Sequence, residues 1–177
     1  MYCITNIWIS KYESNWGKKY MERFNCILND EKYTHYLKKN KKLEKGRKFC
    51  KHNLKHFLDV ARIAQLINLE ENLGFEKEVI YTTAILHDIG KSFQYEDGIP
   101  HEMASWEIAK TILEDYKFSD EEIELIKQGI LGHRNKKSKG FSLLIYRADK
   151  LSRQCITCKA INECNWSDEK KNLKIYY

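Results

Sequence analysis

The sequence predicts an all-α protein built as a single domain. Apolar residues recur three and four positions apart over long stretches, and no run reads as a convincing strand. Of 177 residues, 42% are hydrophobic, with one proline and eight glycines, which suits a globular, mostly helical chain with a real core. The breaks between periodic stretches carry helix-end signals: glycines, an Asp-Gly turn and a capping box.

Residues Met1 to Tyr20 show no clean period and are expected to form an irregular arm. Met21, where the helical pattern begins, is a second candidate start. Glu22 to Asn29 reads as a short helix with Phe24, Ile27 and Leu28 on one side. Glu31 to Lys45 reads as a helix with Tyr33, Tyr36 and Leu37 inward, broken by Gly46. A long helix is expected from Lys51 to Leu73, where His56, Val60, Ile63 and Ile67 share a stripe. Gly74 ends it, and Glu76 to Ile89 forms the central helix. Ser92 to Ile99 reads as a polar loop containing the Asp97-Gly98 turn. Pro100 opens a helix to about Tyr116, with His101 in its first turn.

Ser119 with Glu122 is a capping box, starting a helix that ends near Gly132, with His133 and Arg134 just beyond. Lys136 to Gly140 is a basic loop, and Phe141 to Arg153 is the last long helix, its apolar run interrupted by Asp149. The helical domain is therefore expected over residues 21–154. A cysteine-rich tail, residues 155–177, is expected to pack on the bundle.

No apolar run is long enough to span a bilayer, and the N-terminus lacks a signal-peptide pattern, so the expected location is the cytoplasm. Six cysteines there argue for metal ligands or free thiols over a disulfide framework. The net charge of +6 is uneven: Lys38 to Lys55 holds nine Lys/Arg against one acid, Glu44, so the remainder is slightly acidic. Phe49 is the one aromatic in that block, too few for a single-strand stacking platform. The block is expected to be a solvated helix face, not a nucleic-acid surface.

The chemistry centres on Ala84-Ile-Leu-His-Asp-Ile-Gly-Lys91. His87 and Asp88 stand in an apolar run, where imidazole and carboxylate are costly to bury without partners. Adjacent helical residues point about 100° apart, so the pair can share an ion only if the helix end faces it. Four more polar groups lie on apolar faces or at helix ends: His56, His101, His133 and Asp149. Side chains on several helices can meet inside a bundle. One shared metal centre is more economical than six separately satisfied groups. Such nitrogen and oxygen ligands suit Fe, Mn, Zn or Co.

The order His56, His87-Asp88, Asp149 resembles the signature of the HD superfamily of metal-dependent phosphohydrolases. The surrounding text is also similar: His56-Phe-Leu-Asp-Val-Ala-Arg62, His87-Asp-Ile-Gly-Lys91 and Arg147-Ala-Asp-Lys-Leu-Ser-Arg153. The resemblance covers roughly Phe49 to Arg153. It implies an HD-type helical bundle in which His56, His87, Asp88 and Asp149 hold a divalent metal. His101 and His133 fall where dinuclear subgroups place extra ligands, and Asp88 would then bridge two ions. The implied activity is hydrolysis of a phosphate ester or anhydride by metal-activated water, on a small substrate such as a nucleotide. Asp88 and Lys91 are the implied catalytic residues, and Lys91, Arg134 and Lys150 the implied phosphate contacts. His52, one helical turn before His56, is set apart from the ligands. The alternatives are a non-catalytic metal-containing sensor or partner-binding module, and a nucleic-acid-binding protein. A homo-oligomer is left open.

Cys155-x2-Cys158-x5-Cys164 follows the last helix closely and is one thiolate short of a closed tetrahedral site. Cys50 lies six residues before His56, and Cys155 six after Asp149. Six helical residues rise about 9 Å, so if the two helices run antiparallel both cysteines leave a shared site in the same direction. The four are expected to hold structural zinc or an iron–sulfur cluster. Cys3 and Cys26 sit in no metal-ligand spacing.

Overall fold

A computed structural model describes residues 21–177. The expected arm of residues 1–20 lies outside the described residues. Among the described residues there are eight α-helices: α1 (Glu22–Leu28), α2 (Glu31–Leu43), α3 (Leu54–Glu70), α4 (Lys77–Leu86), α5 (Lys91–Glu96), α6 (His101–Leu113), α7 (Asp120–Gly132) and α8 (Gly140–Leu151). Two short 3-10 helices, Cys155–Thr157 and Ile161–Glu163, follow. The described residues contain no strand, and none of their helices is long and apolar enough to cross a membrane.

Helices α3, α4, α7 and α8 form a ring in which each packs on two neighbours. Helix α6 covers α7, α5 lies between α6 and α2, and α1 rests on α4. The interior is filled by Phe57, Val60 and Ile67 from α3, Ile80 and Ala84 from α4, Ile130 from α7 and Ile145 from α8, all fully buried. A buried aliphatic or aromatic side chain contributes about 1.5–3 kcal/mol, which offsets the cost of the polar groups among them. Helix α8 starts beside the chain just past α3, with the Phe141 and Phe75 rings 5.0 Å apart. It ends beside the start of α3, where Ser152 Oγ lies 3.1 Å from His56 Nδ1. The two helices are therefore antiparallel.

Helix starts follow local chemistry. Asp30 accepts from Tyr33 N–H and Asn53 from His56 N–H, each satisfying a donor that the first turn leaves open. The Ser119–Glu122 capping box is present in both directions. Gly74, which follows α3, has a φ of +77°, a backbone state that glycine adopts without strain.

Three expectations are corrected. The central helix stops at Leu86, not Ile89, so His87 to Gly90 form a turn. Residues 91–96 are helix, not loop; this one-and-a-half-turn segment buries only Ser92 and half-buries Phe93, too little to show a period. The long helix begins at Leu54, because Asn53 caps it, and ends at Glu70.

Candidate metal centre

The centre is assembled from five places in the fold. Asn53 fixes His56 in the first turn of α3. The turn after α4 carries His87 and Asp88. His87 keeps helical backbone angles, and its Nε2 still comes within 3.1 Å of Asp88 Oδ2. His101 opens α6, His133 closes α7, and Asp149 lies in the last turn of α8. His56 is 7% exposed and His101 4%; His87, Asp88, His133 and Asp149 are at 2% or below.

Asp88 stands between two groups of imidazoles. Its Oδ2 lies 3.1 Å from His87 Nε2 and 4.0 Å from His56 Nε2. Its Oδ1 lies 2.9 Å from His101 Nε2 and 3.5 Å from His133 Nε2. Asp149 Oδ1 joins the first group, 3.4 Å from His56 Nε2 and 3.9 Å from His87 Nε2. Thus His56, His87, Asp88 and Asp149 present ligand atoms within 4.8 Å of one another, and so do Asp88, His101 and His133.

The outer face of each imidazole is already engaged. His87 Nδ1 faces Ala84 O at 2.7 Å and His133 Nδ1 faces Ile130 O at 2.6 Å. His101 Nδ1 meets Gln94 Oε1 at 2.8 Å, and His56 Nδ1 meets Ser152 Oγ. These contacts orient the rings and turn each Nε2 inward towards the carboxylates. His56 Nε2 and His87 Nε2 are buried without a well-directed hydrogen-bond partner. Orphaned atoms of this kind are costly, and a divalent ion would satisfy them together. The donor set fits such an ion.

Charges follow the same pattern. Burial pushes the Asp88 carboxyl up, but His87, His52, His101 and His133 outweigh it and hold it well below the usual range. Burial also raises Asp149, and Arg153, His56, His87 and Lys150 bring it well below. Burial lowers His87, yet Asp88 and Asp149 raise it to about 9. Burial takes His56 down to about 4, helped by Arg153 and His87 and opposed by Asp149.

The chain matches the family described as HD domain over residues 53–157. It belongs to the HD-domain family. This HD domain is also 76% identical, over 157 residues, to an uncharacterized protein of Clostridium beijerinckii (strain ATCC 51743 / NCIMB 8052). That span is 89% of this chain and the whole of the relative. No solved structure matches it.

The HD centre brings together all six expected ligands, and its basic residues fall into different roles. Lys91 Nζ lies 3.1 Å from His101 Nδ1, half-buried at the edge of the centre. Burial lowers its pKa, with Asp88 opposing. Lys150 Nζ sits 2.5 Å from Asp149 Oδ2. Arg134 is exposed and ion-paired at 3.2 Å with Glu102, whose carboxylate lies 3.5 Å from His101 Nδ1, so it stands at the outer edge of the centre. Arg153, not singled out by the sequence, holds Asp149 Oδ1 at 2.8 Å with its side chain 9% exposed.

His52, set apart from the ligands, reaches the edge of the centre. Its Nε2 points at Asp88 Oδ2 from 3.7 Å, while its Nδ1 meets Glu44 Oε1 at 2.5 Å. Glu44 also takes the His52 N–H at 2.7 Å and the Tyr95 hydroxyl at 2.5 Å. Asn40, fully buried, donates to the carbonyls of Asp88 and Ile89 and accepts from Ser92 N–H, clamping the turn that carries the pair. A polar residue on the inner side of a helix was the only sequence signal for Asn40.

The basic block is also corrected. In its second half only Lys55 lies on a helix, in the first turn of α3. Arg47, Lys48, Lys51 and Lys55 border a cavity of about 700 Å³ whose other walls include His52, His56 and Arg153. The cavity thus reaches the His56 side of the centre.

Proposed function

We propose that this HD domain is a metal-dependent phosphohydrolase acting on a phosphate ester or anhydride of a nucleotide or similarly small molecule. The observation carrying this reading is Asp88, one carboxylate whose two oxygens face two groups of bare imidazole nitrogens. His56, His87, Asp88 and Asp149 would hold one divalent ion, and Asp88, His101 and His133 a second. When bound, ions of this kind lower the pKa of water and neutralise phosphate charge.

The chain's own residues supply binding and positioning. Phosphoryl transfer needs charge neutralisation and alignment above all. Arg153, Lys51 and Lys55 give the cavity beside His56 a cationic wall for an anionic substrate. Lys91 sets a further cation against His101, on the other side of Asp88. Lys150 and Arg153 grip the two oxygens of Asp149 and fix its direction. Asn40 fixes the backbone beneath Asp88, and Glu44 aims His52 at it.

The test is metal analysis of protein purified without chelators, followed by a phosphate-release screen over nucleotides. Bound divalent metal with turnover of at least one phosphate compound is expected, and Asp88→Ala should lose both. Turnover that survives Asp88→Ala would overturn the reading. Metal retained with no phosphate release across the screen would favour a non-catalytic sensor.

A further inference from the structure

The cysteines of the tail are not used by this chemistry, and they share a place. Cys50, Cys155, Cys158 and Cys164 all border the cavity that reaches His56. Three come from the chain past α8, where each 3-10 helix is followed by a cysteine: Cys158 after Cys155–Thr157, and Cys164 after Ile161–Glu163. The fourth comes from the segment before α3. The antiparallel run of α3 and α8 brings these two segments side by side, and a Lys48–Glu163 ion pair joins them. Asn172 donates to the carbonyls of Lys150, Leu151 and Arg153, turning the tail back onto the end of α8.

All four are free thiols. Burial raises the Cys50 thiol above its usual range, with Arg153 opposing and Cys155 and Cys158 adding to the rise. Lys171, ion-paired with Asp168 at 2.8 Å, and Arg153 border the same cavity as the four thiols. The spacing is informative. A zinc ion with Zn–S bonds of about 2.3 Å needs sulfurs about 3.8 Å apart. Among the described residues, the groups of three or more ligand atoms within 4.8 Å of one another are the two around Asp88, and the sulfurs do not form a third. Four cysteines that border one cavity without such a close group suit a polynuclear site, in which each sulfur binds a different iron.

We propose that Cys50, Cys155, Cys158 and Cys164 hold an iron–sulfur cluster that fastens the tail to the bundle beside the HD centre. The cluster is separate from the His/Asp ligands and does not depend on the hydrolase reading. The test uses the full chain, produced in iron-replete cells and isolated without oxygen. Iron alone cannot decide, because the HD centre can also bind it; acid-labile sulfide can. About two to four sulfides per chain are expected, with the visible absorption of thiolate-bound iron. Cys164→Ser should lose sulfide and colour to background while metal at the HD centre remains. Asp88→Ala should lose the HD metal and keep the sulfide, which covers the case in which a cysteine variant misfolds. Zinc without sulfide, four thiols that alkylate freely in the anaerobically isolated native protein, or sulfide unchanged in Cys164→Ser would each overturn the proposal.

Discussion

Gly90 offers the sharpest test of how the His87–Asp88 turn is held. A Cβ placed on it would stand 2.4 Å from Ser105 N, 2.6 Å from Ala104 C and 2.8 Å from Ala104 Cβ. Two of these atoms are backbone of α6, so no rotamer change relieves the clash. The turn and α6 must separate, breaking the Gly90 N–H to Ser105 Oγ bond of 2.9 Å. Overpacking costs about 1–3 kcal/mol, and backbone contact places Gly90→Ala at the upper end. At about 2–4 °C per kcal/mol for a chain of this size, Tm should fall by about 6–12 °C. Gly129→Ala meets only side chains, Thr83 Cγ2 at 2.6 Å and Phe141 Cε1 at 2.9 Å, and should cost less. Gly46→Ala meets nothing within 4 Å and should stay within about 0.5 kcal/mol of the parent. The same separation moves Asp88 away from His101, so metal affinity should drop about 10–100-fold in Gly90→Ala, as for other changes that disturb ligand support. Thermal unfolding and metal titration of the three variants read both effects. Equal Tm values for Gly90→Ala and Gly46→Ala would refute the argument.

Three further outcomes are expected. Asn40→Ala takes the side-chain partner from the Ile89 carbonyl and the Ser92 N–H, while the Asp88 carbonyl keeps the Lys91 N–H; at about 1–3 kcal/mol per orphaned group, urea unfolding should show a loss of about 2 kcal/mol or more. His101→Ala should remove one ion's worth of binding and leave the His56, His87, Asp88 and Asp149 group, so metal per chain should fall by about one equivalent. In metal-stripped protein His87 is raised to about 9, above an unfolded value of about 6.5. Its contribution to stability is therefore fully present below about pH 6.5 and is lost as pH rises towards 9. His56, lowered to about 4, acts only below about pH 6.5 and in the opposite sense. Tm of the stripped protein should fall between about pH 6.5 and 9, and His87→Gln should abolish that slope.

The candidate ligand set was legible in the sequence for a physical reason. Histidine and aspartate on apolar faces are rare unless something satisfies them, so His56, His87, Asp88, His101, His133 and Asp149 stood out one by one. The capping box at Ser119 was equally plain, because both its bonds lie within four residues. What supports the ligands was not. Asn40 reaches the His-Asp turn across 48 residues and Ser152 reaches His56 across 96. No local pattern records such pairs. Lys150 and Arg134 were singled out as cations, but their partners, Asp149 and Glu102, decide what remains of that charge.

The sequence by itself determined the helical periods, the order of the elements and the residue types able to bind a metal, because each depends on spacing along one segment. Only the tertiary structure decided that the central helix stops at Leu86, that Asp88 divides its oxygens between two sets of imidazoles, and that four distant cysteines border one cavity. Those outcomes rest on how α3, α4, α6, α7 and α8 are set against one another. Packing fixes such distances to fractions of an ångström, and periodicity carries no information about them.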